Sequence, residues 1–281
     1  MRWLLLSFIL VGCSTVPAPK GPPPAGRPIR LASWNVHNLF DEIDDSYNDD
    51  VFTPAEVRTK LDRLARVLGQ IEPDFVGLQE VEHLVLAERL ARRLPGYQAI
   101  LVEGNDKARG INVAVLTRLP IGQIKSHAGE VLPTVDGAPE HYHFSRDCLE
   151  VRLMGELPLT VLVNHFLSKR QPGVTSDAKR RAQALGVASL VGGLPGRVAV
   201  LGDFNDDPDS WALEPLRSAL LDSFAAWPME KRYTHVYRKR KLAIDHIFLD
   251  RELAGRVVDR KVWRDGVKGL SDHYPVSVDL R

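Results

Sequence analysis

The chain reads Val198-Ala199-Val200-Leu201-Gly202-Asp203-Phe204-Asn205 at the point that decides its fold. The first four residues form a short apolar run, which is typical of a strand covered on both faces. Period-two alternation then turns Asp203 and Asn205 to one side and Phe204 to the other. Because unpaired charge is costly inside a protein, a buried strand that ends in a carboxylate and an amide predicts a polar site at that end.

The same arrangement recurs elsewhere in the chain. Ser33-Trp34-Asn35-Val36 ends the first predicted strand with an amide, and Phe75-Val76-Gly77-Leu78 delivers Gln79 and Glu80 to its end. Ala243-Ile244-Asp245-His246-Ile247 places an acid in the middle of an apolar strand, and Ser271-Asp272-His273 precedes Tyr274-Pro275-Val276. Taken singly, each acid is explained as well by a cap or a salt bridge. Together, hard oxygen ligands and proton-carrying histidines suit Mg²⁺ or Mn²⁺ acting on a phosphate ester.

The rest of the pattern predicts many strands and a few amphipathic helices. Thr53-Pro54-Ala55-Glu56 is a capping box, and apolar residues at helical spacing continue the helix to Ile71. Further helices are predicted at 81–94, 176–191 and 210–220, and further strands at 97–102, 111–117, 149–153, 158–164, 197–202, 242–249 and 274–280. Composition does not break between 29 and 281, so we expect one domain with an α/β or α+β layered architecture of sheets packed under helices.

Composition and charge exclude several classes of protein. The chain has 281 residues, of which 44% are apolar and 26% charged, and 37 Lys and Arg balance 36 Asp and Glu. This composition is that of a folded, soluble protein, so disorder and a polytopic membrane protein are excluded. A balanced charge also argues against a general polyanion-coating protein.

The first 28 residues predict export. Arg2 precedes a greasy stretch from Trp3 to Gly12, which has the length of a signal-peptide core (residues 1–12) and is too short to span a bilayer. Leu10-Val11-Gly12-Cys13 resembles the bacterial lipoprotein cleavage box, which implies a lipid on Cys13 and a membrane anchor facing the periplasm or cell exterior. An ordinary signal peptide cleaved nearby is the alternative. Proline-rich residues 13–28 predict a spacer before the domain at 29–281.

Six short polar motifs follow one another along the chain: Trp34-Asn35, Gln79-Glu80, Asn164-His165, Gly202-Asp203-Phe204-Asn205, Asp245-His246 and Ser271-Asp272-His273. In this order they resemble the endonuclease/exonuclease/phosphatase superfamily, the deoxyribonuclease-I-like enzymes. The resemblance runs from about Ile29 to Leu280, and Asn35–Phe40, Arg109–Ala114 and Asn164–Lys169 are similar to segments of bacterial exported nucleases. It implies a four-layer α/β sandwich, in which two facing mixed sheets are flanked by helices. It also implies a metal-dependent phosphoesterase that attacks phosphorus with an activated water.

The resemblance further implies how the site divides its work. Glu80 is the principal metal ligand, with Asn35 and Asp272 completing the shell through water, and the ion is Mg²⁺ or Mn²⁺, with Ca²⁺ as a further candidate. Asp203 orients or deprotonates the attacking water, and Asn205 hydrogen-bonds a phosphoryl oxygen. His273 pairs with Asp245, and either Asp203 or His273 takes the proton. His165 donates a proton to the leaving oxygen and is oriented by Glu103 or Asp106. Arg109 and Arg146 contact the substrate phosphate, while a surface ion pair is the alternative for Arg146.

The substrate stays open at this point. Nucleic acid is preferred, a phospholipid head group or inositol phosphate is the second hypothesis, and a non-catalytic surface lipoprotein is the third. The tract from Lys231 to Lys241 mixes bases with aromatics, which indicates either a grip on a nucleic-acid backbone or a solvated hairpin. The acidic run from Asp41 to Asp50 indicates a solvated loop in preference to a Ca²⁺ loop, because it lacks the EF-hand glycine and glutamate. We expect a monomer.

Overall fold

The computed structural model describes residues 26–43, 51–136, 141–169 and 174–281. The predicted signal peptide, Cys13 and the spacer up to residue 25 lie outside the described residues, as do residues 44–50 of the acidic run. Among the helices that are described, none combines the length and apolarity needed to cross a membrane.

Two six-stranded mixed sheets form the centre of the molecule. The first contains β1 (Ile29–Leu39), β2 (Phe75–Val81), β3 (Gln98–Leu101), β4 (Asn112–Thr117), β13 (Val257–Val262) and β14 (Val276–Leu280), in the order β13-β14-β1-β2-β4-β3. The second contains β5 (Ile121–Ser126), β6 (Cys148–Leu153), β7 (Leu159–His165), β8 (Val198–Asp203), β9 (Leu221–Asp222) and β12 (Asp245–Leu249), in the order β5-β6-β7-β8-β12-β9. A separate hairpin pairs β10 (His235–Tyr237) with β11 (Arg240–Leu242).

Three apolar clusters place these sheets inside a four-layer sandwich. One cluster joins the facing surfaces of the sheets, with Leu31 of β1 and Leu201 of β8 among its members. A second joins the outer face of the first sheet to α1 (Pro54–Ile71) and α2 (Leu84–Ala91). A third covers the outer face of the second sheet with α3 (Val174–Gly193) and α4 (Glu214–Ala219). The short helices α5 (Met229–Arg232) and α6 (Arg251–Ala254) complete the elements. The predicted fold class is therefore confirmed.

The predicted helix at the capping box is also present. Thr53 accepts a hydrogen bond from the Glu56 N–H, and the Glu56 carboxylate accepts one from the Thr53 N–H. Other predicted elements need correction. The strand predicted at 242–249 is two strands, since β11 ends at Leu242 and β12 begins at Asp245, so Asp245 opens its strand rather than lying in the middle. Asn35 lies within β1, which continues to Leu39, and β2 extends beyond Glu80 to Val81, so the helix predicted at 81–94 begins only at Leu84.

The Gly202 backbone allows two neighbouring strands to approach each other. Its φ is +149°, and a Cβ there would lie 2.0 Å from the carbonyl oxygen of Asn164 on the adjacent strand β7. No side chain can be accommodated at that distance without moving the β7 backbone. Gly202 therefore sets the separation of the strands that carry His165 and Asp203.

Replacing Gly202 with alanine is expected to lower the free energy of unfolding by about 3 kcal/mol or more, because buried overpacking and backbone strain add together. Gly69→Ala is the matched control. Gly69 lies inside α1, and a Cβ added there would meet nothing within 4 Å, so alanine should raise stability by up to about 1 kcal/mol. Denaturant unfolding of both variants checks the pair, and equal stability of Gly202→Ala and the parent would contradict the argument.

Candidate active site

The inner faces of both sheets become polar at the same end of the molecule. In β8, Ala199 and Leu201 face the inter-sheet core, and the next residue of that parity is Asp203. In β1, Leu31 faces the same core and is followed with the same parity by Asn35. His165 continues β7 in this way, and Asp245 stands two residues before the inner-facing Ile247 of β12. The pleat of the core strands thus delivers four polar side chains to one place.

Asp203 lies at the centre of this cluster. Its Oδ2 accepts a hydrogen bond from Asn35 Nδ2 at 3.0 Å and lies 3.5 Å from His165 Nε2 and 3.9 Å from His273 Nε2. Its Oδ1 accepts the backbone N–H of Asn205 at 2.8 Å. Burial, together with the neighbouring Asp245 charge, raises the pKa of Asp203 to about 7 against the opposing effect of His273. A carboxylate of that pKa can take up a proton near neutral pH.

Glu80 enters the cluster through a β-bulge. The pairing register of β2 shifts between Gln79 and Val81 on both sides, and Glu80 has a left-handed φ of 64°. Without the bulge, Glu80 would share the outward parity of Val76 and Leu78, which pack under the helices. With it, Glu80 Oε1 lies 3.3 Å from Asn35 Nδ2, and Oε2 accepts the Asn38 N–H at 2.9 Å. Strained backbone of this kind is concentrated at functional sites.

Positive charge keeps Glu80 ionised despite its position. Burial opposes ionisation, but the Arg109 guanidinium 3.7 Å away, the Asn35 amide and the Asn38 N–H together hold the pKa of Glu80 below its ordinary value. Arg109 itself donates to Asn38 Oδ1 at 2.8 Å.

Asp272 lies against the last residues of β1. Its Oδ1 is 2.6 Å from His37 Nδ1, and its backbone oxygen is 3.0 Å from His235 Nδ1. Burial opposes ionisation, but the His37 hydrogen bond and the charge of His273 lower the pKa of Asp272 far below its usual range. Ser271 ties this segment to β1, because its hydroxyl donates to the Asn35 backbone oxygen at 2.7 Å.

His273 pairs with Asp245, with 2.8 Å between Nδ1 and Oδ2. Burial favours the neutral imidazole, but the carboxylates of Asp245 and Asp203 raise the pKa of His273 to about 10. The two carboxylates therefore favour the imidazolium form of His273.

Titration of His273 should show this directly. In the metal-free protein we expect the imidazolium to persist until about pH 10, and Asp245→Asn should lower that pKa because it removes the largest favourable charge. Since the folded pKa is higher than the unfolded value of about 6.5, the stabilisation is fully present below pH 6.5 and is lost as the pH rises through about 10. NMR of the histidine rings measures both. Asp222→Asn, beside the buried His246, is the control and should leave His273 unchanged; a His273 pKa near 6.5 would refute the pairing.

His165 ends β7 and is nearly inaccessible to solvent. Burial, and then the charges of Arg146 and Arg109, lower the pKa of His165 well below its ordinary value, so the ring is neutral. Its Nδ1 has no hydrogen-bond partner within the described part of the chain. The expectation that Glu103 or Asp106 orients it is wrong: Glu103 pairs with Lys107, Asp106 pairs with Arg146, and the carboxylate that contacts His165 is Asp203.

Arg146 is buried, with 3% of its surface exposed, so the alternative of a surface ion pair is wrong. Its Nη2 lies 2.8 Å from Asp106 Oδ2, and its Nη1 donates to the Phe166 backbone oxygen at 3.0 Å. Asn205 Nδ2 donates to the same oxygen at 3.0 Å, so Arg146 and Asn205 converge on the chain just after His165. Burial lowers the pKa of Arg146 against the opposing charge of Asp106.

Three site residues were not assigned a role from sequence. His37 and His235 contact Asp272, and the Lys60 ammonium donates to the backbone oxygens of His37 and Asn38. Burial lowers the pKa of Lys60 to about 8. The amphipathic pattern of α1 gives no signal for Lys60, and His235 stands in the basic tract. His37 stands two residues after Asn35, but its left-handed φ of 55° and the register shift of β1 between Asn35 and Leu39 take it out of the strand alternation, so that pattern gave no signal for it either.

The donors of this cluster fit a divalent cation. Glu80 and Asp272 both have lowered pKa values and so present ionised oxygen atoms, and Asn35 joins Glu80 to Asp203. Hard oxygen ligands suit Mg²⁺, Mn²⁺ and Ca²⁺, and the His37 nitrogen beside Asp272 adds a donor that Mn²⁺ also accepts. Within the described residues, three groups of His, Asp and Glu side chains have ligand atoms within 4.8 Å of one another, and Glu80 belongs to none of them. The groups are His235-Asp272-His273, Asp203-Asp245-His273 and Asp41-Glu82-His83.

Comparison with known proteins finds a family model that covers most of the chain. The sequence profile described as "Endonuclease/Exonuclease/phosphatase family" matches residues 32–273. No curated protein matches the chain.

Solved structures share the fold at low sequence identity. A family protein from Leptotrichia buccalis is 19% identical with a TM-score of 0.64, and the alignment covers 90% of this chain and 99% of the other. A humanized TDP2 from D. rerio is 19% identical with a TM-score of 0.65, covering 90% and 98%. The 3' phosphatase NExo from Neisseria, bound to a product DNA hairpin, is 19% identical with a TM-score of 0.59, covering 90% and 99%.

Proposed function

The chain belongs to the Endonuclease/Exonuclease/phosphatase family, and from this premise we propose that it hydrolyses phosphodiester bonds of nucleic acid with a divalent cation and an activated water. Enzymes of this family hydrolyse phosphoester bonds and depend on divalent metal, and this chain is one of them. The observation that carries the proposal is the contact of Asn35, His165 and His273 with the single carboxylate of Asp203.

We assign the proton acceptor to Asp203. The carboxylates of Asp245 and Asp203 favour the protonated form of His273, whereas burial raises the pKa of Asp203 and so favours proton uptake there. Asp203 would orient a water and remove its proton, and the His273 imidazolium, 3.9 Å away, would stabilise the negative charge that develops on the phosphoryl oxygens.

Neutral and cationic side chains would donate hydrogen bonds to the phosphate group of the substrate. His165 would donate a hydrogen bond from Nε2 toward the leaving oxygen, and Asn205 would bind a phosphoryl oxygen. Arg109, which is partly exposed beside Glu80, is placed to contact the substrate phosphate, whereas buried Arg146 positions the chain after His165. A cation held by Glu80, Asp272 and Asn35 would neutralise charge on the phosphoryl group. We propose Mg²⁺ or Mn²⁺, with Ca²⁺ as a further candidate.

Nucleic acid is our proposed substrate class. The product DNA hairpin bound to the Neisseria phosphatase supports it. The alternative is a phospholipid head group or an inositol phosphate, which the predicted lipid anchor on Cys13 favours.

A substrate panel tests the proposal. The full-length chain would be assayed on plasmid DNA, single-stranded DNA, RNA, bis(p-nitrophenyl) phosphate and phosphatidylinositol vesicles, in Mg²⁺, Mn²⁺, Ca²⁺ and a chelator. We expect polynucleotide cleavage that falls steeply with salt, because cationic side chains displace counterions from the polyanion when they bind it. Hydrolysis of the vesicles in preference to every polynucleotide would favour the alternative, and inactivity on all substrates would support a binding role.

Export as a lipoprotein remains a proposal of its own. We propose that Cys13 carries lipid and holds the enzyme at a membrane facing the periplasm or the cell exterior. Incorporation of a labelled fatty acid in bacteria, and its loss in Cys13→Ser, is the expected result. Equal labelling of both chains, or of neither, would contradict it.

A further inference from the structure

The β10–β11 hairpin carries a basic turn in an unfavourable conformation. Its strands pair His235 with Leu242, Val236 with Lys241 and Tyr237 with Arg240. The two residues of the turn, Arg238 and Lys239, have φ values of 46° and 68°. Positive φ at both positions is the requirement of a type I′ turn, for which Asn-Gly is the preferred pair. Long side chains at these positions are costly to the backbone, and strain of this kind points to a function for the side chains.

The cations of this hairpin are available for a ligand. Arg238, Lys239, Arg240 and Lys241 are all exposed, and within the described residues none of them forms an ion pair with a carboxylate. The Lys241 ammonium lies 4.9 Å from the centroid of the Tyr233 ring, a contact that leaves its charge unpaired. Arg238 stacks over exposed Tyr237, with 5.2 Å between the guanidinium carbon and the ring centroid. The tip therefore presents four adjacent positive charges and an aromatic face to solvent, in a chain whose overall charge is nearly balanced.

The base of the hairpin is fixed to the candidate active site. His235 forms an isolated bridge with His273, and the centroids of the two rings are 4.7 Å apart with the ring planes tilted by 39°. The neighbouring Thr234 accepts the Asp245 N–H through its hydroxyl at 3.1 Å, and its backbone oxygen accepts the Tyr274 N–H at 2.7 Å. These contacts hold the arm in a fixed position relative to the Asp245–His273 pair.

One face of the hairpin is directed toward the candidate active site. His235, Tyr237 and Arg240 share one face, because residues two apart and cross-strand partners lie on the same side. His235 touches His273 from this face, so Tyr237 and Arg240 continue the same surface outward from the site. At about 3.3 Å per residue, the tip lies about 10 Å along the strand from His235. This distance corresponds to about three nucleotides of a duplex strand.

We propose that the β10–β11 hairpin is an arm that binds the phosphate backbone of a polynucleotide about three nucleotides from the scissile bond. The inference rests on the proposed function. It makes the substrate a polynucleotide rather than a phospholipid head group. Arg238, Lys239 and Lys241 contact phosphates, while Tyr237 and Arg240 contact the strand on the face that leads to the site. An anionic lipid surface is the competing ligand of a basic tip, and the test below separates the two.

The deciding variant is Arg238→Asn/Lys239→Gly. It removes two charges and installs the pair that a type I′ turn prefers, so the midpoint of thermal unfolding should not fall.

Arg66→Gln/Arg251→Gln is the matched control. These residues are exposed and have no ion pair within the described part of the chain; Arg66 lies in the second half of α1, and Arg251 follows the end of β12 opposite Asp245. Binding of a fluorescent 20-nucleotide single strand and its duplex is measured by anisotropy in a chelator, so that no cleavage occurs.

We expect the turn variant to bind both probes about tenfold more weakly than the parent, and the slope of log affinity against log salt to fall by about 1.5 to 2. The ratio of oligonucleotide cleavage to bis(p-nitrophenyl) phosphate hydrolysis should fall to a similar degree, and the control should match the parent. Unchanged affinity and slope, or no binding by the parent, would overturn the proposal. Loss of binding to phosphatidylglycerol vesicles without loss of DNA binding would overturn it in favour of a membrane. If the parent binds DNA but hydrolyses neither the oligonucleotide nor the small diester, the proposed function fails while the arm stands.

Discussion

Replacing Asp203 with asparagine is expected to lower kcat for phosphodiester hydrolysis by about 10²- to 10⁴-fold, the contribution of one positioned acid or base. The carboxylate is buried, has a pKa of about 7 and contacts Asn35 and His165. Asparagine has the same shape and can still accept the Asn205 N–H, but it cannot accept a proton from water. The loss should therefore appear in kcat rather than in KM.

The measurement is steady-state turnover of a small diester together with unfolding by denaturant. Asp222→Asn is the matched control, because the Asp222 side chain is also buried, also pairs with a histidine, and lies outside the cluster. Turnover by that variant should stay near the parental rate. A folded Asp203→Asn protein that retains more than a tenth of the parental kcat would remove Asp203 from the role of proton acceptor.

Replacing Glu80 with glutamine is expected to weaken the binding of Mn²⁺ by about 100-fold or more, because loss of a residue that only orients a metal ligand already weakens metal binding by about 10- to 100-fold. Glutamine can still accept the Asn38 N–H, so the bulge should survive, but the negative charge beside Asn35 is lost. Turnover at limiting Mn²⁺ should fall with affinity and recover in part at high Mn²⁺.

Titration calorimetry with Mn²⁺ alone gives this affinity without any catalytic readout. Glu82→Gln is the matched control two residues away, because Glu82 is buried and belongs to the separate group with Asp41 and His83. Parental Mn²⁺ affinity in Glu80→Gln, combined with weakened affinity in Glu82→Gln, would move the principal metal site to that second group.

Strand alternation predicted part of this site because the residues obey it. Asp203 and His165 end strands whose apolar residues have the same parity, so the pattern that places the core also places these side chains. Glu80 does not obey it. Its position depends on a bulge and a left-handed backbone conformation, and neither has a sequence signal in Gln79-Glu80-Val81. The apolar run before it marked Glu80 as a polar residue at a strand end, but the resemblance to a family, rather than the periodicity, indicated its role as a metal ligand.

The sequence pattern did not predict residues that reach the site through contacts between segments far apart in the chain. His235 contacts Asp272 and His273 because a hairpin folds back onto the segment that leads into β14, which no local spacing reveals. The tract from Lys231 to Lys241 left two interpretations open, and the structure shows a hairpin with an exposed basic turn. Glu103 or Asp106 was predicted beside His165 because sequence spacing does not reveal the parallel pairing of β7 with β8, which brings Asp203 there.

Each half of the cluster belongs to a different sheet. Asn35, Glu80 and Asp272 come from the first sheet and the segment leading into it, and His165, Asp203 and Asp245 come from the second. A Cβ on Gly77 would lie 2.5 Å from the Leu201 side chain, so the apolar interior between the sheets has no slack at this position. The packed apolar core sets the spacing between the two sheets, and this spacing determines the distance between Asn35 of the first sheet and Asp203 of the second. The distances between the side chains of the candidate site therefore depend on the packing of apolar residues that do not contact the substrate.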